Sequence, residues 1–206
     1  MDMDRSQQLV TVHEQINKCQ QCPLHVGRTR AVPGDGPADA VIMFIGEAPG
    51  FHEDQQGLPF VGAAGRLLDE LLENSGINRG SVFITNVIKC RPPGNRDPKA
   101  EEVAACKHYL DEQINLINPR IVVTLGRHSM ERAFPDEKIS FVHGQARQVG
   151  DQTYVAMYHP AAALHQPSLR GIVERDFEIL RDILDGKIQP DVFTPPPEVE
   201  QLSLFG

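Results

Sequence analysis

AVIMFIG, residues 40–46, is a continuous apolar run that ends in glycine. Such a run suits a strand covered on both faces, as in a parallel sheet packed between helices. Three further stretches read as strands: SVFITNVI at 81–88, RIVVTL at 120–125 and TYVAMY at 153–158. Between them lie helical patterns. In 62–75, Ala63, Leu67 and Leu71 repeat at i, i+4, as do Ala64, Leu68 and Leu72, and Gly76 stands where a helix C-cap is expected. In 98–117, Pro98 suits the first turn, and Val103, Cys106, Leu110, Ile114 and Ile117 share one face, so Cys106 points inward. Residues 5–18, a short stretch from about Arg127, and 168–185 complete the helices. This alternation predicts an α/β fold: a three-layer sandwich with a central four-stranded, mostly parallel sheet flanked by helices.

In such sheets, ligands bind beyond the carboxyl ends of the strands. Gly46, Glu47, Ala48, Pro49 and Gly50 follow the first strand, and Asn86 ends the second. Gly126 and Arg127 follow the third, and His159 and Pro160 follow the fourth. Singly, Glu47 reads as a helix cap, Asn86 as an Asx-turn and His159 as a loop residue. Together they are expected to converge on one rim.

The chain has 206 residues, 40% of them hydrophobic and 23% charged, enough for one domain with a core of its own. No stretch approaches the ~20 apolar residues that span a bilayer. The start, MDMDRSQQLV, is acidic and polar, unlike a secretory signal, so a cytoplasmic location is the expectation. Net charge is −8, which argues against a protein that coats nucleic acid. One local exception is NVIKCRPPGNRDPK at 86–99, where Lys89, Arg91, Arg96 and Lys99 face one acid, Asp97.

Four cysteines, Cys19, Cys22, Cys90 and Cys106, include one close C-x2-C pair. Four thiolates suit zinc or a [4Fe-4S] cluster, and spacing alone leaves both open, along with four unrelated thiols. If all four share a site, the N-terminal segment is stapled to the region holding residues 90–106.

GEAPG at 46–50, LPFVGAAGRLL at 58–68, TNVIKCRPP at 85–93 and HPAAAL at 159–164 together resemble family 4 uracil-DNA glycosylases, the iron–sulfur class. The resemblance runs from about Cys19 to Leu184, and the four cysteines sit at matching points. It implies a [4Fe-4S] cluster on Cys19, Cys22, Cys90 and Cys106, and removal of uracil from DNA. An enzyme of this kind takes the base out of the stack and reads its edge. Asn86 would pair with uracil's carbonyl and ring N–H, a pattern that cytosine reverses. Phe60 would stack on the flipped base, its flanks Pro59 and Gly62 favouring an exposed loop position. His159 would donate to the carbonyl oxygen where negative charge develops, a role for a neutral imidazole with a lowered pKa. Backbone N–H groups at 46–50, with Gly46 and Ala48, would contact the base or add to the oxyanion site. Better-known uracil glycosylases carry a water-positioning Asp where Ala48 stands, which leaves Glu47 to orient water, stabilise the cationic sugar or wall off the thymine methyl. Leu164 would wedge into the gap left by the base. Lys89, Arg91, Arg96 and Lys99 would hold the strand in a salt-dependent way.

Residues 189–206 read as a disordered Pro-rich tail after a domain spanning 1–188. The tail ends in QLSLFG, which resembles the peptide by which bacterial DNA-processing proteins dock on the replicative sliding clamp, through Gln201, Leu202, Leu204 and Phe205. The implied protein is a nucleoid-associated monomer without a membrane contact. Two other classes are weighed against it. One is an iron–sulfur DNA-binding, uracil-sensing protein without turnover; the variant that traps uracil through a His in a basic loop has no counterpart in the short, His-free loop Arg91–Lys99. The other is a zinc-stabilised hydrolase or nucleotide-binding protein, for which no G-x-S-x-G or P-loop is present.

Overall fold

A computed structural model describes residues 4–192. Six strands form one sheet in the order β2-β1-β3-β5-β4-β6: β1 Ile42–Gly46, β2 Phe83–Asn86, β3 Ile121–Leu125, β4 Ala146–Val149, β5 Gln152–Met157 and β6 Asp191–Val192. The four strands expected from sequence are β1, β2, β3 and β5, and they run parallel to one another. Two strands extend the expected sheet. β4 pairs antiparallel to β5, and β6 pairs parallel to β4. β4, ARQV, is half-exposed and too polar to show the apolar run of a covered strand. β6 lies within the stretch 189–206 that was expected to be tail, so ordered pairing carries the domain past residue 188.

Nine helices are described: α1 Arg5–Lys18, α2 Leu24–Gly27, α3 Phe51–Gln56, α4 Ala63–Asn74, α5 Ala100–Ile117, α6 Arg127–Met130, α7 Ile139–Val142, α8 Pro160–His165 and α9 Arg170–Leu184. Successive side chains of β1 alternate between two cores. Ile42 and Phe44 pack with Leu68, Leu72 and Phe177 of α4 and α9. Met43 and Ile45 pack with Leu110 and Ile114 of α5. Burial on both faces is why the strand reads as unbroken hydrophobicity. At roughly 1.5–3 kcal/mol for each large aliphatic side chain buried, the Leu67, Leu68, Leu71 and Leu72 row is what holds α4 down.

Local signals set the helix ends. Asp4 accepts from Gln7 N–H at 2.9 Å and starts α1. Gly76, with φ 67°, follows α4 and donates its N–H to Glu73 O. α5 begins one residue after Lys99 rather than at Pro98, because the Glu102 carboxylate accepts from Lys99 N–H at 2.8 Å. No described helix is long and apolar enough to cross a membrane.

Candidate active site

β1, β2, β3 and β5 point their carboxyl ends at the same edge. Gly46 and Asn86 are direct register partners there. Beyond them opens a cleft of about 450 Å³ whose walls include Glu47, Ala48, Phe60, Asn86, Arg96 and His159. The expected convergence of Glu47, Asn86 and His159 is therefore met. Gly46 lies behind the wall, where its missing side chain makes room. A Cβ on it would stand 2.5 Å from Asn86 Oδ1 and 2.8 Å from Phe60 Cζ. A larger groove, about 870 Å³, runs between α1 and residues 28–38 and contains none of these strand-end residues.

His159 is the N-cap of α8, and its Nδ1 accepts from Ala161 N–H at 3.1 Å. Pro160 occupies the first helical position, where its missing N–H costs nothing. Burial of the ring lowers its pKa to about 4, and the nearby Glu53 carboxylate opposes that shift. At neutral pH the imidazole is uncharged, with Nδ1 accepting and the proton on Nε2.

Phe60 stacks on the His159 ring, centroids 5.4 Å apart and planes at 24°. It is 6% exposed, so it forms a packed wall and not an exposed loop residue as its flanks suggested. Its φ of 52° is a left-handed conformation that a bulky residue adopts only under constraint. Two constraints are visible. Glu53 Oε1 accepts from Val61 N–H at 2.9 Å and Gly62 N–H at 2.8 Å, pinning the next two peptides. Gly65 lets the Phe60 carbonyl press against α4, where a Cβ would collide with it.

Asn86 is buried, yet its Oδ1 has no hydrogen-bond partner. An unpaired buried acceptor costs about 1–3 kcal/mol, so this one is poised for a ligand's donor. Its main chain is held in turn: Lys89 Nζ donates to Asn86 O at 2.9 Å. Glu47 sits half-buried with Oε2 3.8 Å from His128 Nε2, and burial raises its pKa against the pull of His128. Ligand atoms of Glu47, Asp97 and His128 lie within 4.8 Å of one another, and Arg127 pairs with Asp97.

The basic strip expected at 86–99 is largely spent within the fold. Lys89 does not face DNA. It is 1% exposed and donates to Thr85 Oγ1 at 2.6 Å and Gln113 Oε1 at 2.7 Å as well as to Asn86 O. Burial lowers its pKa to about 8. The charge that marked it as a surface residue instead braces the loop between Asn86 and Cys90. Arg96 makes a two-pronged bond to Glu102, at 2.6 and 2.9 Å, and still reaches the cleft wall. Arg91 is half-buried, with Nε donating to Asn95 Oδ1 at 2.7 Å. Leu164, on α8, is 45% exposed.

Cys19, Cys22, Cys90 and Cys106 line one small cavity together with Ile16, Ala105 and Tyr109. The N-terminal segment, the loop after Asn86 and α5 thus meet at this cavity, the arrangement expected if all four cysteines share a site. Arg28 donates to Cys90 Sγ at 3.1 Å. Burial raises the pKa of Cys90 and lifts that of Cys106 to about 11. Buried thiols of this kind lose their protons when a metal supplies the compensating charge.

The family model described as the uracil DNA glycosylase superfamily matches residues 33–182, a span that includes every wall residue of the cleft named above. The chain belongs to this superfamily. Within the uracil DNA glycosylase superfamily it is similar to proteins named Type-4 uracil-DNA glycosylase. That of Sulfurisphaera tokodaii is 48% identical over 187 residues, covering 85% of this chain and 84% of its own. That of Archaeoglobus fulgidus is 46% identical, covering 87% and 94%. That of Thermotoga maritima is 44% identical, covering 84% and 93%.

Sequence reasoning missed Glu53, Asn95, His128 and His165 around this glycosylase-type cleft. His128 follows the Gly126-Arg127 strand end, so the strand-end rule pointed within one residue of it. Glu53 gave no signal, because its work is to bind backbone N–H groups of a loop eight residues away.

Proposed function

We propose that the cleft receives a uracil flipped out of DNA and that the protein hydrolyses its N-glycosidic bond, the first step of base excision repair. The buried, unpaired Oδ1 of Asn86 at the floor of a strand-end cleft carries this reading. The Asn side chain offers an acceptor to the ring N–H and a donor to the adjoining carbonyl. Cytosine would meet it donor to donor and acceptor to acceptor. Phe60 supplies the flat apolar wall, Ala48 lines the cleft, and Gly46 behind it leaves room for the Asn86 and Phe60 side chains.

In the reaction the bond from the sugar C1′ to the base nitrogen breaks, its electron pair leaves with uracil, and water adds at C1′ and gives up a proton, which ends on the uracil anion. The leaving base is an anion. His159, neutral with its proton on Nε2, donates to the carbonyl oxygen that gains charge. The sugar passes through a cationic state. A Glu47 carboxylate beside it lowers the energy of that state and orients the water. Leu164 enters the vacated stack, while Arg91 and Arg96 contact the strand.

A [4Fe-4S] cluster held by Cys19, Cys22, Cys90 and Cys106 fits the donor set, four thiols around one small cavity with Arg28 to balance their charge. When bound, it supplies covalent cross-linking of the N-terminal segment to the loop after Asn86. Brown protein with iron, lost in Cys106→Ser, is expected, whereas colourless protein with zinc would overturn it. Gln201, Leu202, Leu204 and Phe205 lie outside the described residues, and their resemblance to a clamp-docking peptide is what supports recruitment to the bacterial sliding clamp. A pull-down unchanged on deletion of 201–206 would end that idea. We assign the protein to the cytoplasm, at the nucleoid, as a monomer.

The test is excision from oligonucleotides carrying one uracil, with thymine as control, followed by alkali. Strand cleavage at uracil alone, lost in Asn86→Ala and His159→Ala, is expected. Intact strands with cluster-loaded wild-type protein would overturn turnover in favour of a uracil-sensing role.

A further inference from the structure

Two large apolar side chains stand exposed beside the cleft. Leu164 is one. The other is Phe51, the first residue of α3, 51% exposed and adjacent in sequence to Gly50 of the cleft wall. Its ring is not isolated. The Arg91 guanidinium carbon lies 5.1 Å from the ring centroid, and the His52 ring meets it edge-on at 5.5 Å and 79°. Arg91 itself neighbours Pro92, another cleft residue. Its Nε is anchored on Asn95, and among the described residues its two terminal nitrogens carry no protein hydrogen bond.

An exposed aromatic face backed by an anchored guanidinium is the combination that holds an unpaired base and its phosphate. We propose that Phe51 and Arg91 form a stacking site for a base next to the flipped uracil on the same strand. The inference rests on the reading of the cleft as a uracil site. Continuity favours DNA over a protein partner, because Gly50 and Pro92 lead from this pair directly into the cleft walls. In duplex DNA the neighbouring base is paired and stacked within the helix. The site therefore favours uracil in single-stranded DNA. Arg91 contributes both faces of the interaction, cation against the ring and hydrogen bonds to phosphate, which a lysine would not reproduce.

The experiment uses the full chain and single-stranded oligonucleotides with one uracil. 2-Aminopurine is placed in turn at each of the two positions on either side. Binding is expected to change its emission at one position, and Phe51→Ala to abolish that change while Phe51→Trp retains it. On the same strands Phe51→Ala raises KM about tenfold with kcat nearly unchanged, and on the duplex KM moves less than about twofold. Emission and KM that do not depend on Phe51 overturn the stacking site and leave the glycosylase reading intact. Wild-type protein that binds but leaves uracil in place ends the glycosylase reading, and the emission arm then decides the stacking site alone.

Discussion

The backbone N–H of Ala161 donates to Nδ1 of His159 at 3.1 Å. A single hydrogen bond thus does two jobs. It caps α8, and it fixes the tautomer that leaves Nε2–H free to donate. His159→Asn keeps a side chain able to cap, since Asn is a favoured N-cap residue. Its melting temperature is expected to stay near that of the wild type. Its excision rate, measured in a single turnover, is expected to fall roughly 100- to 1,000-fold, the cost of losing one donor to a developing oxyanion. A loss below about fivefold would remove His159 from that role.

Asn86 separates stability from function. Its Oδ1 is buried without a partner in the free protein. Asn86→Leu is similar in size and removes the unpaired acceptor. The variant is expected to resist urea as well as or better than the wild type, by up to about 1–3 kcal/mol. It should also lose at least 100-fold in uracil excision. A Leu variant that is both less stable and still active would contradict the assignment.

The sheet's parallel half was legible because both faces of each strand are covered, which leaves unbroken runs such as Val122 and Val123 within IVVTL. β4 was not, because a half-exposed hairpin partner such as Arg147 or Gln148 looks like loop. The strand-end rule located Glu47, Asn86 and His159. Charge misled at Lys89, where sequence carries no sign that Thr85, Gln113 and the Asn86 carbonyl will surround an ammonium group. Glu53 was invisible for a related reason. Its partners are backbone N–H groups, which every sequence has and no residue type marks.

Gly46 is required for space alone. A Cβ there meets Asn86 Oδ1 at 2.5 Å and Phe60 Cζ at 2.8 Å, so both side chains must move. Gly46→Ala is expected to cost about 1–3 kcal/mol of stability, the usual range for overpacking. Because the displaced groups are the two proposed to hold the base, excision should fall at least 100-fold, in excess of the stability loss. Urea melts paired with excision assays at saturating protein distinguish the two effects. Equal, small losses in both would mean that the floor of the cleft yields.

Two buried histidines predict the acid limb of stability. His159 and His13 each have a folded-state pKa lowered from 6.5 to about 4, mainly by burial. The unfolded chain binds these protons at higher pH than the folded one. Stability therefore rises with pH between about 4 and 6.5, and is lost as pH falls through that window. Below about 4 both states are protonated and the histidines contribute no further slope. For His159 the full swing is on the order of 3 kcal/mol. Glu47 and Asp176, whose pKa values burial raises, act with the opposite sign, favouring the folded state on the acid side. The net curve of the wild type therefore mixes both. Single variants resolve it: His159→Gln and His13→Gln should each flatten the dependence of urea stability on pH between 6.5 and 4, whatever they do to stability at pH 8. A slope that survives both substitutions would place the acid limb on other groups.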